Sequence, residues 1–175
     1  MSDEIGDELL RASKLKDAGQ LDLAKELLKS LLNKFPDDWR IWNEMGHCHL
    51  RIGDYSDAVS SFEKALEIEP ELPGLWSNKG FAMKEMGNLN GAIDATHRAK
   101  SFAKNSQDEK MAHYNLACYL SLSGKNEQAF EQLSLACADD SQIREWAKHD
   151  SDLNPIRSDP RFSEIMNRPD SDSST

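Results

Sequence analysis

The 175-residue sequence lacks both an excess of basic side chains and any long apolar run. It has 21 Lys and Arg residues against 31 Asp and Glu, which gives a formal net charge of −10 at pH 7. A general nucleic-acid binder needs a basic stripe to neutralise phosphates, and an anionic membrane surface attracts basic segments. No stretch approaches the 18 or so consecutive apolar residues of a membrane-spanning helix. We therefore expect no nucleic acid and no membrane among the partners.

Cysteines are few and do not form close-set pairs. Cys48, Cys118 and Cys137 are odd in number and lie far apart in the sequence, which fits a reduced compartment better than a disulfide scaffold. The first ten residues, MSDEIGDELL, have neither the basic n-region nor the apolar h-region of a secretory signal. Together these features predict a cytoplasmic protein.

Recognisable catalytic motifs are also missing. The sequence has no phosphate-binding loop, no nucleophile elbow and no recognisable acid pair. Cys118 has Tyr114 one turn earlier but no His or Lys at a helical contact spacing that could activate its thiol. The acidic runs fall mostly at turns and lack the twelve-residue ligand loop of a calcium site. We therefore predict no enzyme activity and no cofactor.

Two histidines close together, His47 and His49, invite comparison with a metal site. On a helix, residues two apart diverge by about 200°, so these imidazoles cannot readily share an ion. His97, His113 and His149 show no matching ligand spacing either. The sequence therefore predicts no metal site, and His49 is interpreted as a packed core residue.

What the chain does contain is a pattern that returns every 34 residues. Its clearest copy is carried by Trp42, Met45, Gly46, His49, Gly53, Tyr55, Ala58, Phe62, Ala65 and Pro70. The positions 34 later hold Trp76, Gly80, Gly87, Ala92 and Ala99, and those 34 earlier hold Ala12, Gly19, Ala24, Leu28 and Pro36. This period and these residue types resemble the tetratricopeptide repeat.

The resemblance implies an all-α fold, a right-handed solenoid of stacked antiparallel helix pairs. Gly46 and Ala58 are small enough to let the two helices of a pair approach closely, and Gly53 can supply the positive φ of a tight helix exit. Trp42 and Trp76 are expected to be buried between their pairs. The four predicted repeats are about 5–38, 39–72, 73–106 and 110–141.

The segments that flank the repeats carry further predictions. Residues 1–5 are expected to be frayed, and the polar residues 169–175 to be disordered. Residues 142–168 are predicted to form a capping helix and a closing segment, because solenoids commonly need a cap with a polar outer face. The residues expected to anchor the closing segment are Leu153, Ile156, Phe162 and Ile165.

Between the third and fourth repeats, two features depart from the period. Lys104 stands where the closing proline is expected, so the second helix of repeat three is predicted to run longer than usual. Ser106 and Glu109 have the spacing of a capping box, which predicts that they open the next helix.

The family resemblance also implies a binding surface, because the first helix of each pair lines a concave face. Carrying the family's groove positions across gives Arg40, Asn43, His47, Arg51, Asn78, Phe81, Lys84, Tyr114, Asn115 and Cys118. Phe81 and Tyr114 are expected to be exposed there. Asn78 and Asn115 resemble the asparagine ladder of long superhelical members, whereas the basic residues of a dicarboxylate clamp are missing. Such asparagines either contact a ligand or are simply common on this face, and the sequence leaves both readings open.

The main prediction is a non-enzymatic adaptor or scaffold that binds a peptide or a helix of another protein in this groove. Self-association is a further option. A co-chaperone or secretion chaperone that holds a client protein is the first alternative, and the regulatory subunit of an enzyme is the second. Selective binding of one sequence would favour the adaptor, and promiscuous binding the chaperone. A deep pocket with a perturbed Cys or His would favour the enzyme.

Overall fold

A computed structural model describes residues 2–169, with side chains from Ile5 onward. Within that range it contains helices and turns and no β-strand, which confirms the predicted all-α class of stacked helix pairs. None of the described helices is long and apolar enough to cross a membrane. Most of the predicted disordered tail, residues 170–175, lies outside the described part of the chain.

The chain divides into two compact units, Met1–Gly87 and Asn88–Thr175, and the border falls inside the predicted third repeat. Unit 1 contains five helices: α1 (Ser2–Asp17), α2 (Leu21–Lys34), α3 (Trp39–Ile52), α4 (Tyr55–Ile68) and α5 (Pro73–Glu85). Within it, α1 packs against α2 and α3, α2 packs against α3, and α4 packs against α3 and α5. Consecutive helices joined by short turns and packed side by side run antiparallel.

The pair formed by α3 and α4 shows how the repeat residues build the fold. Gly46 is buried on α3, and a Cβ placed on it would lie 2.5 Å from Phe62 Cε1 on α4. The helices can therefore approach this closely only because the side chain is missing. Gly53 ends α3 with φ 89°, a left-handed conformation that glycine adopts without strain. The equivalent turns use Gly19, Gly87 and Gly124, all with positive φ.

The core of unit 1 differs from the prediction in which residues it buries most deeply. Ile41 and Leu75 are almost fully buried, at 0% and 2% exposure. The neighbouring Trp42 and Trp76, predicted to be buried, are only partly buried. At the protein surface, Trp76 Nε1 donates a 2.7 Å hydrogen bond to the Pro70 carbonyl. In both helices, the aliphatic residue that precedes the tryptophan is therefore more deeply buried than the indole ring.

The N-terminus is also more ordered than predicted. Helix α1 begins at Ser2, and Ile5 is buried at 4% exposure among core residues from α1, α2 and α3. The prediction of a frayed segment before residue 6 is therefore wrong for Ile5. The physical reason is the apolar contact between Ile5 and the core. Ile5 is not one of the residues of the repeat pattern, so the pattern does not predict this contact.

Unit 2 carries the remaining elements. They are α6 (Leu89–Ser101), α7 (Ser106–Leu122), α8 (Asn126–Ala136), α9 (Ser141–His149), a 3-10 helix (Ser151–Ile156) and α10 (Pro160–Met166). Helix α7 packs against α6, α8 and the 3-10 helix, while α10 packs against α8 and α9. The four predicted anchors of the closing segment are all buried: Leu153, Ile156, Phe162 and Ile165.

In unit 2, the predicted extension of α6 and the predicted capping role of Ser106 are both wrong. Helix α6 ends at Ser101 and is not extended, although no proline follows it. Helix α7 is capped by Asn105, whose side chain accepts a 2.9 Å hydrogen bond from the Asp108 amide, so Ser106 is already the first helical residue. Both Asn and Ser are favoured at helix N-caps. Here the N-cap is Asn105, the earlier of the two in the sequence.

Candidate peptide-binding groove

The predicted groove residues of unit 1 lie on α3 and α5, with α1 on the other side of α3. Two hollows open along these helices, and both include Trp39 and Asn43 in their walls. The first, of about 340 Å³, is lined by Leu9, Leu10, Ser13, Trp39, Arg40, Asn43 and Glu44. The second, of about 190 Å³, is lined by Trp39, Asn43, Leu72, Gly74, Leu75 and Asn78. The shared residues make the two hollows neighbours along one surface.

At the centre of this surface, three predicted groove residues are brought together by hydrogen bonds. Asn78 Nδ2 donates to Asn43 Oδ1 at 2.9 Å and lies 3.3 Å from His47 Nε2. Because the amide nitrogen is the donor in both contacts, His47 Nε2 is the acceptor. The two hydrogens of Asn78 Nδ2 are thereby used, whereas Asn78 Oδ1 and Asn43 Nδ2 have no hydrogen-bond partner among the described residues.

The protonation state of His47 suits this arrangement. Burial lowers the pKa of His47, and the nearby Lys16 lowers it further, while Glu44 opposes them. The ring is therefore neutral at pH 7 and can accept a hydrogen bond through Nε2. Its edge also contacts Phe62, with ring centroids 5.5 Å apart.

Charged side chains around these hollows are mostly paired within the protein. Lys16 Nζ lies 2.8 Å from Glu44 Oε2, which joins α1 to α3. Arg40 is held by Asp38, whose side chain also caps α3 by accepting a hydrogen bond from the Arg40 amide. The guanidinium lowers the pKa of the Asp38 carboxyl. These pairs leave the surface close to neutral within a strongly acidic chain.

Three further predicted groove residues of unit 1 lie towards the ends of α3 and α5. Phe81 is 43% exposed, as expected, and Lys84 Nζ lies 4.9 Å from its ring centroid. Lys84 also pairs with Glu85 at 2.6 Å. Arg51 is exposed at the end of α3. An aromatic face with a cation beside it is a common feature of protein interaction surfaces.

In unit 2, the expectation of an exposed groove around Tyr114 is wrong. Tyr114 is buried at 7% exposure, and its hydroxyl donates a 2.7 Å hydrogen bond to Asp150 Oδ2. Cys118 is buried at 3%, with its Sγ 3.7 Å from the same carboxylate oxygen. Burial and the bond to Asp150 raise the pKa of Tyr114. The chain's own segment from Asp150 into the 3-10 helix covers this face of α7.

The side chain of Asn115 is half-buried on α7 and makes no hydrogen bond among the described residues. It belongs to unit 2 and Asn78 to unit 1, so an amide ladder joining them stays a prediction. Sequence reasoning missed Trp39 and Leu72 as groove walls. The signal for them was present, because each lies next to the start of a first helix, where its side chain can reach the neighbouring pair.

Comparison with known proteins supports the repeat assignment. Family models described as tetratricopeptide repeat match residues 9–38 and 39–72. The crystal structure of MamA superposes with a TM-score of 0.72 at 19% identity, over 89% of this chain and 87% of that one.

Two curated relatives were found over shorter stretches. The protein FlbA of Caulobacter vibrioides is 24% identical over 152 residues, which are 86% of this chain and 23% of FlbA. The SGT1 homolog of Bos taurus is 28% identical over 104 residues, which are 59% of this chain and 30% of that protein. The chain thus spans less than a third of either relative. The two matched models identify residues 9–72 as tetratricopeptide repeats, and the solved structure shows that most of the chain shares the same helical fold.

Proposed function

We propose that this protein is a non-enzymatic adaptor that binds an extended peptide segment of another protein along α3 and α5 of unit 1. The observation that carries the proposal is the Asn43–Asn78 amide pair between the two hollows. The repeat assignment and the similarity to MamA and SGT1-type proteins support a protein-interaction scaffold in general.

The amide pair suits a peptide backbone because of the groups it leaves available. Asn78 Oδ1 can accept a hydrogen bond, and Asn43 Nδ2 can donate two. A peptide unit offers one N–H donor and one carbonyl acceptor, so a single extended residue can satisfy both side chains. The hydrogen bond from Asn78 Nδ2 to His47 Nε2 fixes the orientation of the Asn78 amide before a ligand binds.

The hollows on either side of the amide pair can receive peptide side chains. Leu10, 54% exposed, and the half-buried Trp39 offer apolar surface in the larger hollow. Leu72 and the exposed backbone at Gly74 shape the smaller one. Since the nearby charges are already paired, we expect apolar and small polar side chains to be preferred over charged ones.

The test begins with selection of binding peptides from a random library displayed on phage, followed by affinity measurement by isothermal titration. We expect one family of related sequences. Loss of one neutral hydrogen bond costs about 1 kcal/mol, so Asn78→Ala should weaken the selected peptide about five- to tenfold. The control Asn33→Ala changes an exposed asparagine of α2 away from the hollows and should leave the affinity unchanged.

A steric variant provides a second, independent arm of the test. A Cβ at Gly74 meets no atom within 4 Å, so Gly74→Leu should project into the smaller hollow without disturbing the fold. We expect it to abolish peptide binding while the melting curve stays close to that of the parent. Unchanged affinity in both Asn78→Ala and Gly74→Leu would place the peptide elsewhere and contradict the proposal. Binding of unrelated unfolded proteins in place of one sequence family would instead support a chaperone.

A further inference from the structure

The turn between α3 and α4 brings together three side chains that no repeat pattern requires. Gly53 and Asp54 both donate backbone hydrogen bonds of 3.0 Å to the His49 carbonyl, which folds the start of α4 back over the last turn of α3. One ligand-type atom from each of His49, Asp54 and Asp57 then lies within 4.8 Å of the others. Among the side chains that the structure describes, from Ile5 to Pro169, no other group of three His, Cys, Asp or Glu residues is so close.

From this arrangement we propose that His49, Asp54 and Asp57 form a binding site for a divalent transition-metal ion such as Zn²⁺. Tetrahedral coordination with bonds of about 2.0–2.2 Å places ligand atoms about 3.4 Å apart. Side-chain rotations that move these atoms by about an ångström would reach that spacing. One imidazole and two carboxylates form a ligand set suited to Zn²⁺ and its neighbours in the first transition row.

None of the three side chains makes a hydrogen bond or an ion pair among the described residues, and this is the second observation behind the proposal. His49 Nδ1 is buried and has no hydrogen-bond partner, which is unfavourable for a polar atom in a folded protein. Asp54 stands at the N-cap of α4, yet its carboxylate accepts no cap hydrogen bond. No side-chain hydrogen bond or ion pair engages Asp57 among the described residues.

The next repeat offers an internal comparison for Asp54. Asn88 occupies the equivalent position 34 residues later, with nearly the same backbone, φ −85° and ψ 72° against −84° and 67°. Its side chain accepts a 3.0 Å hydrogen bond from the Gly91 amide. Backbone geometry therefore does not prevent Asp54 from capping its helix. Its carboxylate is turned from the cap, and it lies near His49 and Asp57.

The same comparison shows that the ligand set is confined to the second repeat. The positions equivalent to His49 hold Leu15, Met83 and Leu120, all apolar, and Gly91 replaces Asp57 in the third repeat. An imidazole at an otherwise apolar packing position, faced by two acidic residues across the turn, is thus a departure from the repeat. Ligand spacing within one helix predicts no metal site here, because it does not capture residues that meet across the turn at Gly53.

Electrostatics and space around the cluster are compatible with a bound ion. Asp57 and Asp54 attract a cation, whereas Lys25 and Lys29 from α2 oppose it. His49 and Asp57 border a hollow of about 380 Å³ that also includes Trp42 and Met45. This space leaves room for water molecules in the remaining coordination positions.

The experiment uses the full chain, treated with chelator and then titrated with Zn²⁺ by isothermal calorimetry at pH 7.5. We expect one saturable site per chain and an increase in melting temperature on Zn²⁺ addition, because an ion bound only to the folded state stabilises it. Titration with Co²⁺ should produce visible absorption bands from the same site.

The variants use residues that neighbouring repeats already carry, which protects the fold. His49→Leu copies Leu15 and Leu120, and Asp54→Asn copies Asn88. Each should raise the Zn²⁺ dissociation constant at least tenfold, since even outer-shell changes cost about ten- to a hundredfold. His97→Gln changes an exposed histidine outside the cluster and should bind like the parent. Absence of a saturable site in the parent, or parent-like binding by His49→Leu, would overturn the proposal.

Discussion

The contact between Gly46 and Phe62 yields the sharpest stability prediction. A methyl group added at Gly46 would lie 2.5, 2.7 and 2.9 Å from three atoms of the Phe62 ring, whereas carbon atoms in good contact are about 3.5–4.0 Å apart. The ring would have to move by about an ångström. Phe62 is fully buried with Ala58 and Ala82 and has little free space to enter.

Two opposing effects set the magnitude for Gly46→Ala. Replacing glycine by alanine inside a helix contributes about 1 kcal/mol of stability, while forcing an extra methyl group into a packed core costs about 1–3 kcal/mol. Because the overlap is severe and involves a fully buried ring, the second effect should dominate. We expect a net loss of about 1–2 kcal/mol in the free energy of unfolding.

Urea unfolding followed by circular dichroism and by tryptophan fluorescence measures this loss. Three of the four tryptophans lie in unit 1, so the fluorescence mainly reports the unit that carries the change. Gly6→Ala is the matched control, because a Cβ there meets nothing within 4 Å and α1 should gain stability from the better helix former. In a Phe62→Leu background, the penalty of Gly46→Ala should shrink. A Gly46→Ala protein that is more stable than the parent would refute the reasoning, as would an unchanged penalty in the Phe62→Leu background.

Further predictions concern unit 2 and the thiols. Tyr114→Phe should lower the free energy of unfolding by about 1–3 kcal/mol, because it removes a hydrogen bond to the Asp150 carboxylate; a melting curve like that of the parent would contradict this. A chain that ends at Asp140 exposes the faces of α7 and α8 that the closing segment covers, so it should aggregate or dimerise in size-exclusion chromatography. A stable monomer would contradict the capping role of that segment. All three thiols are buried, and burial raises the pKa of Cys137 to about 11. The native protein at pH 8 should therefore react slowly with iodoacetamide. Fast labelling would contradict this, because it would show that the thiols are accessible.

Much of the local structure could be predicted from the sequence because each repeat reuses short-range signals. The turn glycine, the cap at Asp38 and the close approach at Gly46 depend on residues within one helix pair. The 34-residue spacing repeats these signals and locates the helices. Where two neighbouring residues could each cap a helix, as Asn105 and Ser106 can for α7, the predicted N-cap was one residue away from the observed one.

The candidate groove was only partly predictable, because the family pattern indicates helix faces but not what covers them. It placed Asn43, His47 and Asn78 on one surface, and the structure joins them by hydrogen bonds. It also placed Tyr114 on an open face. That face is covered by a segment 36 residues further along the chain, through Asp150.

The sequence by itself determined the helix-pair architecture, since periodic apolar positions, glycine turns and caps act over a few residues and need no distant partner. Only the tertiary structure decided which surfaces are free. The closing segment buries Tyr114 and Cys118, and the turn at Gly53 gathers His49, Asp54 and Asp57. Both outcomes depend on side chains from different elements meeting in space, and a one-dimensional period carries no information about such meetings.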